Sequence, residues 1–217
     1  FEAIPRRVVI DHHRKMVGFI DDALIFYHES YASSACELVT ELLPYLVQKA
    51  DRMLPVEADA LLAGIMLDTR DFTVHTGVRT FEAAGYLRRM GAQTANVKQL
   101  FAGTLDAYAH KARIVTSAYV YRGCAIAAST DLPESMRVVI PQAANDLLGI
   151  EGVHASFVAV LMGDTVNISA RSMGGINVQL IMEKLQGGGH LMMAGAQLKG
   201  VGVEEAQALL KKAIDDY

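Results

Sequence analysis

Cysteine is nearly absent from this sequence, which contains Cys36 and Cys124 in 217 residues. Two cysteines in apolar contexts are too few for a disulfide framework, so reduced thiols and a cytosolic location are expected. No apolar run approaches the roughly 20 residues that span a bilayer, and no signal peptide is recognisable. The sequence is therefore not that of a disulfide-rich secreted scaffold, and no transmembrane helix is predicted within it.

An excess of basic residues is also missing. Twenty Lys and Arg stand against 24 Asp and Glu, a net charge of −4. Proteins that grip long nucleic acids usually carry a basic face, because phosphate neutralisation dominates their affinity. The composition therefore disfavours a nuclease acting on long polymers, but it allows a local basic pocket for a dinucleotide. With 52% hydrophobic residues, the chain is expected to fold into one large or two modest domains.

Hydrophobic patterning predicts an α/β protein. We expect a parallel sheet flanked by helices over residues 1–95, a linker helix over 96–117 and a second, smaller α/β domain with a mixed sheet over 118–217. The predicted elements are strands 6–11 and 22–28, separated by a turn at Gly18 and Asp21; helices from 34, 57–67, 78–90 and 93–117; strand 119–128; helix 138–148; strands 153–162 and 165–171; helix 177–185; and a helix from about 203.

Three consecutive polar residues, Asp11, His12 and His13, follow the apolar run that ends at Ile10. A β-branched run of this kind is typical of a buried parallel strand, and functional side chains gather at the carboxyl ends of such strands. Asp11 and His12 should point to opposite sides. The triplet could supply one metal ligand and its orienting neighbours, although a solvated loop would explain the same residues.

The second unusual segment is Gly187-Gly188-Gly189-His190. Three glycines expose backbone N–H groups, and a helix beginning at His190 would add its positive end to make an anion site. The alternative is a helix C-cap followed by a turn, which needs one glycine.

Together these segments resemble the DHH phosphoesterase family, and within it the GdpP-type cyclic-di-AMP phosphodiesterases. Nearly the whole chain takes part in the resemblance. The matching stretches are residues 9–14, 31–43, 62–69, 72–73, 79–84, 168–172, 176–179 and 187–191. The sequence departs from the family pattern at Met173-Gly174-Gly175 and at Met192-Met193, which leaves the preferred base or dinucleotide open.

The resemblance implies a hydrolase that cleaves cyclic-di-AMP to 5′-pApA with two Mn²⁺ ions. His12 and Asp68 would be metal ligands, and Asp11 and His13 would orient His12 and contact the scissile phosphate. Carboxylate and imidazole ligands suit Mn²⁺, and paired ions neutralise phosphoryl charge and generate hydroxide. The upstream His-x-x-x-Asp-x-Asp motif of the family does not occur in these 217 residues. The chain alone is therefore expected to be inactive.

The resemblance also assigns substrate binding to the second domain, through Arg171, the glycines at 187–189, and His190. Taken alone, Asp68 could instead cap Thr69 or pair with Arg70, and Arg171 could form a surface salt bridge with Glu183 or Asp164. Ser33 and Ser34 could contact a phosphate, but helix capping explains them equally well. The remaining histidines considered are expected to be surface or structural residues: His28, His75, His110 and His154.

Two other functions remain open at this point. One is a nano-RNase or pAp phosphatase that acts on short oligonucleotides, and the other is a non-catalytic nucleotide-binding or dimerisation module. The expected partners are a cyclic or short linear dinucleotide and a second copy in a homodimer, with no long nucleic acid. GdpP-type proteins carry membrane-spanning helices, so the resemblance implies a cytoplasmic domain of a parent anchored in the bacterial cell membrane.

Overall fold

The computed structural model describes residues 6–13, 19–20, 22–46, 53–130 and 132–217. The chain forms two compact units, residues 1–102 and 103–217. The predicted turn at Gly18 and Asp21 and the motif residue Arg14 lie outside the described residues. Among the described residues, no helix is both long and apolar enough to cross a bilayer.

The first unit combines a two-stranded parallel sheet with four helices. Strands β1 (Val8–Asp11) and β2 (Ile25–His28) pair in parallel. The helices are α1 (Ala35–Leu46), α2 (Pro55–Asp68), α3 (Val78–Arg89) and α4 (Thr94–Leu100). Helix α1 continues past Pro44, where the sequence predicts a kink or an end.

The core of the first unit lies between helices α2 and α3. Leu62, Ile65 and Leu87 are fully buried there, together with small alanines that let the helices approach closely. Arg79 on α3 donates two hydrogen bonds of 2.7 Å to Glu41 on α1. This bidentate pair fixes α3 against α1, because a guanidinium matches both oxygens of a carboxylate.

The second unit contains a six-stranded mixed sheet within the described residues. Its strands are β3 (Tyr119–Tyr121), β4 (Cys124–Ser129), β5 (Ala155–Met162), β6 (Thr165–Ser172), β7 (Gly188–His190) and β8 (Met193–Lys199). Their order is β3-β4-β5-β6-β8-β7. Strands β4 and β5 are parallel and the other neighbours are antiparallel.

Helices pack on both faces of this sheet. They are α5 (Leu105–Thr116), α6 (Val139–Leu147), α7 (Val178–Glu183) and α8 (Val203–Asp215). Phe157 and Ile168 face a core shared with α7 and α8, whereas Val158 and Val160 face a core shared with α5 and α6. Both cores follow from the alternation of side chains along a strand.

Three details differ from the sequence prediction. The segment predicted as one linker helix contains two helices, α4 and α5, with residues 101–104 between them. The predicted strand 119–128 is a hairpin, since Arg122 and Gly123 both have positive φ and reverse the chain. The glycine segment, predicted as a loop, is an edge strand paired with β8. The exact bounds of the three predicted regions remain a prediction.

Candidate functional site

The parallel pairing of β1 and β2 brings polar residues to one edge of the sheet. Asp11 lies opposite His28 in the register, and both end their strands. The ring Nε2 of His28 contacts the carbonyl oxygen of His13. His28 therefore supports the turn that carries His12 and His13. The sequence expectation treated it as a surface or structural residue, and the register of the two strands is the signal that places it here.

Asp11 holds His13 in place. Its carboxylate accepts a hydrogen bond of 3.0 Å from the backbone N–H of His13, and the same oxygen lies 2.8 Å from Nδ1 of that residue. Partial burial raises the pKa of Asp11, but these bonds outweigh it and the net pKa lies below the ordinary value. The rings of His12 and His13 lie 4.4 Å apart between centroids. Asp11 thus fixes His13, and the His13 ring packs beside that of His12.

His12 faces the end of helix α2. Its Nε2 lies 3.6 Å from Oδ2 of Asp68, the last residue of that helix, and the two side chains are 18% and 42% exposed. The distance is too long for a hydrogen bond. It suits two ligands of one cation, because metal bonds to imidazole nitrogen and carboxylate oxygen are each about 2.0–2.2 Å long. The donor pair therefore fits a divalent ion.

A left-handed turn follows Asp68. Arg70, Asp71 and Phe72 have φ of 48°, 53° and 64°, a conformation that costs non-glycine residues about 1–3 kcal/mol each. Thr69 is fully buried and holds the turn: its hydroxyl donates to the Ile65 carbonyl at 2.7 Å and accepts from the Phe72 N–H at 3.0 Å. Such strain persists where surrounding contacts impose it. Here the contacts define the end of α2 and hence the position of Asp68.

The alternative partners of Asp68 do not form. Within the described ranges, neither Asp68 nor Asp71 makes an ion pair with Arg70, and the hydroxyl of Thr69 bonds to Ile65 and Phe72 instead. In the same ranges, no group of three or more His, Cys, Asp or Glu side chains is arranged to hold a metal. Within the described residues, His12 and Asp68 therefore do not by themselves complete a metal site.

The start of helix α1 explains Ser33 and Ser34 without a ligand. The Ser34 hydroxyl accepts a hydrogen bond of 3.0 Å from the N–H of Glu37, as a helix cap does. The carboxylate of Glu37 is 2% exposed and accepts a 2.5 Å hydrogen bond from the hydroxyl of Ser33. A buried carboxylate requires such a partner. Both serines are therefore engaged in holding the helix.

The second unit contains an open cleft of about 860 Å³ beside the glycine segment. Its floor is the face of β6 and β8 that carries Ser169 and Gly195, which are partners in the register. Small residues there leave room for a ligand above the sheet. The residues that line the cleft are Arg137, Val138, Ile140, Pro141, Asn167, Ile168, Ser169, Gln186, Gly187, Gly188, Gly195, Ala196 and Gln197.

The three glycines differ in what their surroundings demand. A Cβ on Gly187 would lie 2.2 Å from the Gly195 carbonyl oxygen, and one on Gly189 would lie 2.5 Å from Cα of Ala194. Gly189 also has a φ of +147°. A Cβ on Gly188 would meet nothing within 4 Å. Gly187 and Gly189 thus serve the close approach of β7 to β8, whereas Gly188 borders open space in the cleft.

No helix begins at His190, so the anticipated anion site at a helix N-terminus is not formed. His190 ends the edge strand β7, pairs with Met193 and is exposed. Arg171 lies on the same face of β6 as Ser169, and its Nη1 donates to the Ser169 hydroxyl at 3.1 Å and to the Ala170 carbonyl at 2.9 Å. Glu183, which the sequence offered as an alternative partner of Arg171, accepts a hydrogen bond from Gln179. Arg171 is therefore next to Ser169 on this face of β6, but neither it nor His190 is among the residues that line the cleft.

Two family models match the chain. Residues 2–65 match the DHH family, N-terminal domain, and residues 132–217 match the DHHA1 domain. The chain is 48% identical over 216 residues to the cyclic-di-AMP phosphodiesterase GdpP of Bacillus subtilis, covering 97% of this chain and 32% of that protein. It is 47% identical over 212 residues to the cyclic-di-AMP phosphodiesterase PdeA of Listeria monocytogenes, again covering 97% of this chain and 32% of that protein.

A solved structure shares the fold. An exopolyphosphatase-related protein from Bacteroides fragilis superimposes with a TM-score of 0.86 at 22% identity, covering 98% of this chain and 64% of that one. This likeness confirms the α/β fold predicted from the sequence. The chain spans about a third of the length of the curated relatives it matches.

Proposed function

The chain belongs to the DHH phosphoesterase family and carries its DHHA1 domain, and on this premise we propose that it is part of a metal-dependent phosphodiesterase that hydrolyses cyclic-di-AMP to 5′-pApA. The approach of His12 to Asp68 carries the proposal. These residues lie more than fifty positions apart in the sequence, yet the fold places an imidazole nitrogen 3.6 Å from a carboxylate oxygen. The identity to two cyclic-di-AMP phosphodiesterases over 97% of the chain supports the substrate.

His12 and Asp68 would hold a divalent ion, for which we propose Mn²⁺ because oxygen and imidazole donors suit it. Bound there, the ion would supply charge neutralisation at the phosphoryl oxygens and an activated water. Asp11 keeps His13 oriented, and His13 packs beside His12 and so limits its ring. The arrangement is that of a ligand fixed by hydrogen-bonded neighbours, a general feature of metal sites.

Substrate binding is assigned to the cleft of the second unit. Arg171 would bind a phosphate, since a guanidinium pairs with phosphate oxygens in a bidentate manner. Gly188 leaves the cleft open beside the exposed edge strand that ends at His190. The glycines at 187 and 189 would contribute by bringing that strand close to β8. In this proposal, the cleft of the second unit binds the nucleotide, and the first unit provides the metal ligands for hydrolysis.

A chimera provides the test. We propose to replace the matching segment of the Bacillus subtilis phosphodiesterase with this chain and to measure conversion of cyclic-di-AMP to pApA with Mn²⁺. His12→Ala and Asp68→Ala should each abolish turnover, because each removes a metal ligand. His75→Ala, a histidine in the turn after α2, is the matched control and should retain it.

The chimera should also be examined for folding and binding. A folded chimera that binds cyclic-di-AMP but does not cleave it, or one that keeps full turnover with Asp68→Ala, would refute the proposal. Cleavage of short linear oligonucleotides in preference to cyclic-di-AMP would instead support the nano-RNase alternative.

The resemblance further supports three properties of the whole protein as proposals. These are a cytoplasmic location for this chain, anchoring of the parent in the bacterial cell membrane, and a homodimer. Light scattering of the 217-residue chain would test the last of them: a monomer at all concentrations would contradict it for this part of the protein.

A further inference from the structure

The cleft of the second unit has a second polar end that the function above does not use. Asn167 lies four residues before Arg171 on the same face of β6, about 13 Å away at ~3.3 Å per residue. It is 8% exposed, and it pairs with Gln197 across the β6–β8 ladder. Arg137, just before helix α6, reaches it from the other side. All three residues line the cleft.

Hydrogen bonds fix the orientation of this cluster. Arg137 Nη2 donates to Asn167 Oδ1 at 2.6 Å, and a guanidinium can only donate. The oxygen of the Asn167 amide must therefore face Arg137, and its Nδ2 donates to the Thr165 carbonyl at 3.3 Å. The same Oδ1 also accepts from Gln197 Nε2 at 3.0 Å. Arg137 thus fixes the orientation of the Asn167 amide, and Asn167 fixes that of the Gln197 amide.

The fixed orientation determines what the cluster offers to a ligand. One N–H of Gln197 Nε2 is used for Asn167, which fixes the amide, and among the described residues its Oε1 has no hydrogen-bond donor and can accept from a ligand. Arg137 uses one N–H of five for Asn167, and among the described residues it has no ion-pair partner. The cluster therefore presents N–H donors beside a carbonyl acceptor.

This pattern complements one edge of adenine. Adenine presents a ring nitrogen acceptor, N7, next to a 6-amino donor, whereas the same edge of guanine presents two acceptors, N7 and O6. An oxygen of Gln197 held toward the base would accept from the adenine amino group and would repel guanine O6. Turning the Gln197 amide over to favour guanine would place its oxygen against Asn167 Oδ1 and lose the hydrogen bond between them.

We propose that Arg137, Asn167 and Gln197 form the base-recognition site of the cleft and select adenine over guanine. Arg137 donates to N7, Gln197 accepts from the 6-amino group, and Asn167 is a positioning residue that does not touch the ligand. The inference rests on the proposed function in one respect: the phosphate of the same nucleotide lies at the Arg171 end. A nucleotide laid along β6 would span the separation of the two ends.

The test is binding without turnover, so its failure is separate from failure of the hydrolysis test. The 217-residue chain is titrated with pApA and with pGpG, without metal, by calorimetry. The chain should bind pApA at least several-fold more tightly than pGpG. Equal affinity for the two ligands, or no binding of either, would overturn the inference, whatever the chimera does with cyclic-di-AMP.

Variants separate recognition from folding. Gln197→Ala removes one neutral hydrogen bond, so affinity for pApA should fall about three- to tenfold and affinity for pGpG should not fall. Asn167→Leu should also reduce the preference for pApA over pGpG, because the Gln197 amide is then free to turn over. A merely structural role of Asn167 would weaken both ligands equally.

The matched control is Gln179→Ala on helix α7, which removes a glutamine amide bonded to Glu183 outside the cleft. Its two affinities should equal those of the unchanged chain. Gln197 is exposed, so its substitution should leave the melting temperature unchanged and keep the test valid even if Asn167→Leu fails to fold. An unchanged preference for pApA in Gln197→Ala would refute the assignment.

Discussion

Substitution of each glycine in the segment 187–189 should separate packing from ligand access. An alanine at Gly187 would bring its Cβ to 2.2 Å from the Gly195 carbonyl oxygen, and one at Gly189 would reach 2.5 Å from backbone atoms of β8. Neither approach is possible without moving the edge strand. Overpacking of this kind typically costs about 1–3 kcal/mol, and an unfavourable φ of +147° at Gly189 adds a similar amount.

We therefore expect Gly187→Ala to lower the free energy of unfolding by about 1–3 kcal/mol and Gly189→Ala by about 2–6 kcal/mol. For a unit of 115 residues, each kcal/mol corresponds to roughly 3–6 °C in melting temperature. Calorimetry or circular dichroism of the chain measures this directly. Gly188→Val should not lower the melting temperature, because a Cβ there meets nothing within 4 Å.

Binding should show the reverse order. Gly188→Val fills space that borders the cleft, and we expect it to weaken pApA binding about ten- to a hundredfold, equivalent to about 1.4–2.8 kcal/mol. Gly188→Ala, with a smaller side chain, is the graded control. The reasoning fails if Gly188→Val melts as early as Gly187→Ala, or if it binds pApA as the unchanged chain does. The segment would then be a structural turn alone.

Three further predictions concern the first unit. Asp59 accepts hydrogen bonds from Gln93 and Asn96, which lower its pKa. The stabilisation by its carboxylate should therefore be complete above the ordinary value of 3.8 and be lost as the pH falls below it. The difference in free energy of unfolding between the unchanged chain and Asp59→Asn should shrink over that range, and a constant difference would contradict this. Thr69→Val should sharply lower turnover in the chimera whereas Thr69→Ser retains it; equal turnover would show that the turn does not position Asp68. The chain alone should bind Mn²⁺ weakly and show no turnover, since two ligands do not complete a site; submicromolar binding would reveal further ligands.

Local pattern was sufficient to predict much of the first unit. The apolar run before Asp11 predicted a buried strand with His12 at its carboxyl end. The structure has a strand that ends at Asp11, directly before His12, but Val8 is exposed and the other strand residues are only half-buried. Asp68 was placed at the end of a helix for the same reason, because apolar periodicity stops there. The register that sets His28 opposite Asp11 involves pairing between separate strands. Nothing in either strand alone contains that information.

The glycine segment was predicted wrongly as a loop because its structure is decided by distant neighbours. Strand β8 has no β-branched residue, so the sequence from Met193 gives no strand signal, and without β8 the glycines have no partner. Arg137 was missed for a related reason. Its role depends on Asn167, thirty residues away in sequence, and on the hydrogen bond that joins them.

The left-handed turn at Arg70–Phe72 lowers the stability of the fold but fixes the direction in which helix α2 ends. Exchanging Asp71 for glycine would relieve part of the conformational energy stored there, and selection for thermal tolerance alone would favour it. The same exchange would let the end of α2 sample several directions, and the Asp68 carboxylate would move with it. Under the proposed function, non-glycine residues at these three positions thus lower the free energy of folding but keep the Asp68 carboxylate in place.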